Sequence, residues 1–213
     1  MTEPWEALLA LGVVAIPGIG ETPAEASPPV TRLLIADLEM SGPNPLVHEV
    51  LDVGWVITEA ADGFPEVASW SSRVKPRRIG NAEIGALKVV GYTPKAWRDA
   101  MDAELAIATM VEQGAGAAFT GWGFAQDLAF ITAALRNAGV QWPFAPVAFD
   151  VQVIARSLLA RGETVDRFNL GHVADRLGIG RMGEHGALAD AYATFDILIE
   201  LGKLKAADLP RPA

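Results

Sequence analysis

Two carboxylates stand at the end of a short apolar run. Asp37 and Glu39 follow the run from Leu33 to Ala36, which is typical of a buried central strand. Because side chains alternate between the two faces of a strand, both carboxylates point to the same face. Burying two like charges together is costly unless a cation neutralises them, so the pair indicates a cation site. Asp37 taken alone is explained equally well as the residue that ends the strand at a turn.

Two further carboxylates lie on apolar faces of predicted helices. Asp127 is in the first turn of a helix predicted from Ala125 to Asn137, and the residues one and two turns further on are core-like. Asp190 shares a face with small and aliphatic residues of a helix predicted from Ala187 to Leu201. A carboxylate on such a face needs a partner. For Asp127 alone, the helix dipole, which favours an acidic residue in the first turn, is the simpler explanation.

His185 stands five residues before Asp190. If both residues lay on one helix, their side chains would point about 140° apart. The two side chains converge only if His185 lies in the loop before the helix, and the neighbouring Gly183 and Gly186 make such a loop easy to form. Histidine titrates near neutral pH, so His185 in that position is suited to exchange a proton beside the carboxylates.

Together, four carboxylates without cysteine or a histidine cluster form a hard oxygen site suited to Mg²⁺ or Mn²⁺. Carboxylates at a sheet end and on two helices can hold two such ions about 3.5–4 Å apart, an arrangement that hydrolyses phosphodiesters. In this interpretation Asp37, Glu39 and Asp190 hold the ion that generates hydroxide. Asp37 and, through water, Asp127 hold the second ion, and His185 takes the proton of the attacking water.

The elements around these residues indicate an α/β fold. Strands are predicted at Leu33–Ala36, Val50–Thr58, Val67–Val74, Ala117–Gly121 and Pro146–Phe149. Helices are predicted at Thr93–Gln113, Ala125–Asn137, Asp150–Ala160, Asn169–Leu177 and Ala187–Leu201, with a loop-rich segment at Lys75–Gly91. Three strands in a row, followed by strands that alternate with helices, predict a mixed five-stranded sheet flanked by helices.

Length and composition describe one globular domain. The chain has 213 residues, 51% of them hydrophobic and 20% charged, which is enough to bury a sizeable core. We assign residues 1–31, which are rich in proline, to an N-terminal appendage or linker, residues 32–205 to the domain, and residues 206–213 to a C-terminal tail. No stretch reaches the eighteen or so apolar residues of a membrane span, so no membrane partner is expected. The absence of cysteine and of a basic leader fits a cytoplasmic protein.

The net charge restricts how the protein can hold nucleic acid. Lys and Arg number 17 against 26 Asp and Glu, which gives a formal net charge of −9. Bulk attraction to long nucleic acid requires many cations facing phosphate, so any nucleic-acid role must rest on a local site. A basic cluster of Arg73, Lys75, Arg77 and Arg78 is suited to steer phosphate, although a solvated loop explains it as well.

The same residues resemble the motifs of the DEDDh 3′–5′ exonucleases. The first motif, from Asp37 to Gly42, is similar to the family's Asp-x-Glu-x-Thr-Gly, and its Leu38 and Met40 are most similar to the oligoribonucleases. The third motif, from His185 to Ala191, is similar to the proofreading exonucleases. Its histidine, five residues before the aspartate, is typical of the His branch of the family.

The second motif departs from the family's pattern. The segment from Gly121 to Asp127 keeps the aspartate but lacks the asparagine usually found four or five residues earlier, where Trp122 or Gly123 stands. This departure bears on the fine positioning of substrate or of Asp127. The resemblance covers about residues 32–202.

The resemblance implies a ribonuclease H-like fold and removal of nucleoside monophosphates from a single-stranded 3′ end of DNA or RNA. It implies two Mg²⁺ or Mn²⁺ ions and packing of Met40 on the terminal nucleotide, with Leu38, Ser41 and Gly42 beside it. The first motif leans towards RNA and the third towards DNA. The resemblance leaves the protein partner open between a second copy of the chain and a polymerase or repair protein.

Two other functions are compatible with parts of the chain. The segment from Gly178 to Gly183 matches the glycine pattern of dinucleotide-binding proteins, but it follows a predicted helix rather than a strand, so Gly178 is better explained as a helix C-cap. The second alternative is a catalytically silent ribonuclease H-like adaptor that binds nucleic acid or protein. Loss of an acidic ligand would be typical of it, and all four carboxylates are present.

Overall fold

The computed structural model describes residues 3–16, 29–159, 168–180 and 186–204. The strands in these ranges are β1 (Val13–Ala15), β2 (Arg32–Met40), β3 (Val50–Glu59), β4 (Glu66–Arg73), β5 (Ala118–Gly121) and β6 (Val147–Asp150). The α-helices are α1 (Pro4–Ala10), α2 (Ile84–Val89), α3 (Ala103–Gly114), α4 (Ala125–Asn137), α5 (Val151–Leu159), α6 (Leu170–Leu177) and α7 (Ala187–Gly202). None of these helices is long and apolar enough to cross a membrane.

The strands form one mixed sheet in the order β1-β6-β5-β2-β3-β4. Strand β2 pairs in parallel with β5, and β5 in parallel with β6. The β2–β3, β3–β4 and β1–β6 pairs are antiparallel. The predicted α/β class with a mixed sheet flanked by helices is therefore confirmed, and the described sheet has six strands where five were predicted.

The additional strand comes from the segment assigned to an appendage. The spacing of apolar residues from Trp5 to Val14 favours one short amphipathic helix, but α1 ends at Ala10 and β1 pairs with β6 from Val13 onward. Leu8 and Leu9 of α1 are buried in the main core. Pairing with a strand more than 130 positions away leaves no local pattern, so tertiary contact overrides the helical spacing. A domain that begins at residue 32 stays a prediction.

The alternation along β2 divides the core into two layers. Leu33 and Ile35 pack on the side of α1, α5, α6 and α7. Leu34, Ala36 and Leu38 pack on the opposite side, with α3 and α4. Because the period of a strand is two, Asp37 and Glu39 continue the row of Leu33 and face α7.

The region between β4 and α3 differs from the prediction. It contains α2, where a loop was expected, and the helix predicted from Thr93 begins only at Ala103. The hydroxyl of Thr93 does accept the N–H of Ala96, but the chain makes only a turn there. The buried Trp97 explains this, because its indole N–H donates to the Leu51 carbonyl and holds the segment against β3.

Three predicted helix ends are observed. The Asn169 side chain accepts the N–H of His172 at the start of α6, and Asp150 accepts the N–H of Gln152 at the start of α5. Gly178 follows α6 with a φ of 72°, the left-handed conformation of a C-cap glycine. Since no strand precedes it, the dinucleotide-binding pattern lacks its structural context. The rest of that pattern, residues 181–183, lies outside the described residues.

Candidate active site

The end of β2 and the facing part of β3 form the floor of the site. Asp37 lies opposite Gly54 and Glu39 opposite Asp52 in the antiparallel register, and the register shifts between Glu39 and Met40. Residues opposite each other in such a pair have side chains on the same face. The floor therefore presents three carboxylates and one glycine towards α7.

Helix α7 lies directly on this floor. Asp190 is in its first turn, and one carboxylate oxygen from each of Asp37, Glu39 and Asp190 lies within 4.8 Å of the other two. The close approach depends on Gly54, because a Cβ there would lie 2.2 Å from the backbone nitrogen of Leu188. This glycine is thus required by contact with α7, independently of any turn.

Asp127 reaches the site from α4, on the other side of β2. Its side chain is buried, and its Oδ1 accepts the backbone N–H of Leu38 at 2.9 Å. It lies outside the group of three carboxylates, but its charge is the largest of the neighbouring charges that raise the pKa of Asp37. Asp127 is therefore the fourth carboxylate around Asp37, and one of its oxygens is already used to fix its orientation.

The loop before α4 is held by Asp150. Gly123 has a φ of 59°, and its N–H donates to Asp150 Oδ1 at 3.0 Å. The same carboxylate caps α5, so one side chain ties the loop to a helix end. These contacts order the loop in a chain that lacks the family's asparagine in this segment. Trp122, in the same loop, stacks on Phe168, which supports a packing role for it.

Burial and crowding penalise the negative charges of the site. Burial, and then the charges of Asp127, Asp190 and Glu39, raise the pKa of Asp37 well above its ordinary value. Burial, and then neighbouring carboxylates, raise the pKa of Glu39 to about 7. Burial raises the pKa of Asp127 to about 6, although the hydrogen bond from Leu38 opposes this. A divalent cation would relieve this repulsion, and a donor set made only of carboxylate oxygens fits Mg²⁺ or Mn²⁺.

The predicted substrate residues surround the first motif in different ways. Leu38 is buried on the α3–α4 side, and only its backbone N–H faces Asp127. The hydroxyl of the buried Ser41 accepts the N–H of Glu49 at 2.9 Å. Gly42 packs on the His48 ring, where a Cβ would lie 2.6 Å from the imidazole. Met40 is half-buried at the strand end.

The basic cluster is largely occupied by contacts within the chain. Arg77 makes a two-pronged ion pair with Glu104 at 2.6 Å, and Arg78 lies 3.7 Å from Glu49. Arg73 donates to the Ala96 carbonyl and lies over the Trp97 ring. These contacts favour a structured loop over an open phosphate track.

Asp52 is a fifth acidic residue that the sequence analysis missed. Burial raises its pKa, which hydrogen bonds from the backbone of Ala187 and Val53 oppose. Period-two spacing alone places Asp52 on some face of β3, but only the β2–β3 register shows that it lies opposite Glu39. Asp52 could have been found from the sequence only by working out how β2 and β3 pair from the turn that joins them.

A sequence comparison decides the family. The sequence model of the family RNase_T, described as exonuclease, matches residues 34–198. The chain belongs to this exonuclease family. The predicted resemblance to the DEDD-type 3′–5′ exonucleases is confirmed, and with it the ribonuclease H-like fold. A search of curated proteins by sequence found no match.

Solved structures of exonuclease I share the fold of this exonuclease-family chain. The complex of E. coli exonuclease I with a dT13 oligonucleotide has 20% identity and a TM-score of 0.63, over 79% of this chain and 40% of the other. The zinc-bound E. coli exonuclease I–ssDNA complex has 19% identity and a TM-score of 0.62, over 79% of this chain and 40% of the other. The SSB–exonuclease I structure with the inhibitor CFAM has 18% identity and a TM-score of 0.66, over 79% of this chain and 41% of the other. The chain thus spans about two fifths of the length of these proteins.

The structure brings most of the predicted exonuclease residues together. Asp37, Glu39 and Asp190 form one group that can hold a divalent cation, and Asp127 lies beside it. His185 lies outside the described residues, so its role as general base stays a prediction.

Proposed function

We propose that this chain is a divalent-metal-dependent exonuclease that releases nucleoside monophosphates from single-stranded 3′ ends. The observation that carries the proposal is the group of Asp37, Glu39 and Asp190, whose oxygens lie within 4.8 Å of one another beneath the start of α7. Such a group is strongly unfavourable without a cation, and its members stand at the positions of the family's first and third motifs.

Two ions are proposed, held by the same four carboxylates as the sequence predicted. Asp37, Glu39 and Asp190 would hold one, and Asp37 with Asp127 the other. Bound ions of this kind activate water and stabilise the charge that develops on the leaving oxygen. The Leu38 N–H fixes one Asp127 oxygen, and Asp127 would reach the second ion through water. His185, which precedes α7 in the sequence, would accept the proton of the water.

The proposed substrate is a single-stranded 3′ end. Exonuclease I, which shares the fold, is described in complex with single-stranded DNA oligonucleotides, and this supports a single strand here. The proposed strand is DNA or RNA, because the first motif is most similar to oligoribonucleases and the third to proofreading exonucleases. Met40 at the end of β2 would pack on the terminal nucleotide, with Leu38, Ser41 and Gly42 around it.

Digestion of labelled single strands tests the proposal. DNA and RNA oligonucleotides of one sequence, labelled at the 5′ end, are incubated with the protein in Mg²⁺, Mn²⁺ or EDTA. We expect a ladder that shortens from the 3′ end in either metal and no cleavage in EDTA. Asp37→Asn, purified in parallel, controls for a contaminating nuclease and should give no ladder. Binding without cleavage in any metal would instead indicate the adaptor, and internal cuts would exclude an exonuclease.

A further inference from the structure

Two residues of β3 that face α7 lie directly across the sheet from two of the proposed metal ligands. Asp52 lies opposite Glu39, and Gly54 lies opposite Asp37. The first turn of α7, which carries Asp190, rests on this part of β3. Strand β3 therefore sets the distance between the carboxylates of β2 and the carboxylate of α7.

The N-cap residue of α7 makes no side-chain cap. This residue is Gly186, which has no side chain to accept the free N–H groups of the first turn. The register of β3 and the close approach of Ala187 to Gly54 instead put the Asp52 carboxylate beside the backbone N–H of Ala187, the first helical residue, and this N–H lowers the pKa of Asp52. Ala187 is fully buried, so water cannot replace this acceptor without a cost.

We infer that Asp52 is a positioning residue for Asp190, which it holds in place through the backbone N–H of Ala187 at the start of α7. Gly54 is the complementary element, because the missing side chain lets Leu188 approach the sheet. Asp52 fixes where the helix begins, and Gly54 fixes how close it comes. The effect on cleavage rests on the proposed function, whereas the effect on α7 does not.

The contacts of Asp52 favour this role over that of a further metal ligand. Its carboxylate accepts the N–H of Val53 at 3.0 Å, and the backbone N–H of Ala187 lies close enough to lower its pKa. Asp52 is not a member of the group in which Asp37, Glu39 and Asp190 converge. One of its oxygens is thus engaged by the backbone, which favours a role in orienting the ligands from behind.

Two substitutions separate a cap from a ligand. Asn keeps a side-chain oxygen that can accept the Ala187 N–H and is as good a helix cap as Asp, whereas Ala removes the acceptor. Asp52→Ala, Asp52→Asn and the control Asp62→Ala are compared. Asp62 is an exposed acidic residue in the β3–β4 turn, at the far end of β3. Each variant is checked by thermal melting before use.

Amide hydrogen exchange of the first turn of α7, Mn²⁺ binding by calorimetry, and kcat and KM are measured. We expect Asp52→Ala to speed exchange at Ala187 and to lower Mn²⁺ affinity and kcat by roughly 10–100-fold, the range found when residues behind metal ligands are removed. Asp52→Asn should resemble the parent in all three measurements, and so should Asp62→Ala.

Equal loss in Asp52→Asn and Asp52→Ala, with unchanged exchange at Ala187, would overturn the inference and make Asp52 a ligand. A lower melting temperature with parental Mn²⁺ affinity and kcat would overturn it in favour of a purely structural role. If the parent itself cleaves nothing, the proposed function fails, and the exchange and Mn²⁺ measurements still decide on Asp52. If Asp52→Ala does not fold, Asp52→Val, which also lacks an acceptor and suits a strand, takes its place in the same comparison.

Discussion

At the scale of single residues, the site is a set of acids held where their charge is costly. Burial is the largest cause of the raised pKa of Asp37, Glu39 and Asp127, and the neighbouring carboxylates add to it for Asp37 and Glu39. Without a cation, the folded protein relieves this cost by binding protons. The free energy of unfolding must then depend on pH and on metal in a linked way.

We predict that the metal-free protein loses stability as the pH rises from about 4.5 to about 7. A carboxyl whose folded pKa lies above its unfolded value binds more protons when folded, so its contribution is present at low pH and lost through the folded pKa. The window runs from the ordinary value of Glu39, 4.5, to its folded value of about 7. Melting temperatures in EDTA across this range should fall, and Mg²⁺ should restore them at the upper end.

The Asp190→Asn variant is the control for that pH dependence. Removing one charge of the group should reduce the fall in melting temperature and also the gain from Mg²⁺, because Asp190 raises the pKa of both Asp37 and Glu39. A parent whose melting temperature in EDTA stays level, or rises, between these pH values would show that the carboxylates are not crowded.

At the scale of elements, the seating of α7 on β3 assembles the site. Strand β2 supplies two carboxylates by its period, and α7 supplies the third only because it lies within backbone contact of Gly54. A small change in this contact moves Asp190 relative to Asp37 and Glu39, while the two sides of the core remain packed.

We predict that Gly54→Ala displaces the first turn of α7 and weakens the site. The new Cβ would lie 2.2 Å from the Leu188 nitrogen and 2.4 Å from its Cα, so backbone must move. Overpacking of this kind costs roughly 1–3 kcal/mol in the free energy of unfolding. Denaturant unfolding and Mn²⁺ calorimetry measure both effects, and Mn²⁺ affinity should fall with stability.

Gly85→Ala is the matched control for that substitution. Gly85 lies in α2, with no atom within 4 Å of a Cβ built there, so alanine should be neutral or stabilise the helix by roughly 0.5–1 kcal/mol. Parental stability and Mn²⁺ affinity in Gly54→Ala would show that α7 does not depend on this contact.

Short-range sequence patterns predicted the carboxylates of the site better than they predicted how the elements pack. Asp37, Glu39 and Asp190 were identified because a charge on a buried face stands out in a period of two or of 3.6 residues. Strand β1 and Asp52 were missed because their roles come from pairing with β6 and β2, and pairing between distant segments leaves no periodic mark. Gly54 was missed for the same reason, since its neighbour Leu188 lies far along the chain.

At the scale of the whole molecule, the protein is acidic, whereas its proposed substrate carries negatively charged phosphates. The formal net charge is −9 and remains negative after two divalent ions bind. Arg77 is paired with Glu104, and Arg78 lies near Glu49, so acids offset two of the four cations of the basic cluster. Affinity must then come from the metal site and the few nucleotides next to it.

We predict that affinity for single strands gains little beyond about five nucleotides. The salt dependence should reflect few phosphate contacts, with log K falling by roughly 0.7 per contact for each unit of log salt concentration. Strands of about 3, 7 and 24 nucleotides are titrated with Ca²⁺ in place of Mg²⁺ to block cleavage. Affinity that climbs steeply to the longest strand, with a salt slope to match, would contradict this prediction. It would indicate a longer binding surface for the strand, with the basic cluster as a candidate part of it.

The central claim is that the carboxylates beneath α7 form a metal-dependent nuclease centre. Its most direct test is the single-turnover rate at which the parent and Asp190→Asn remove the 3′-terminal nucleotide in Mg²⁺. We expect folded Asp190→Asn to react more slowly by roughly 10³-fold, the order found when a group that stabilises the transition-state charge is lost. A rate for Asp190→Asn close to that of the parent would contradict the account.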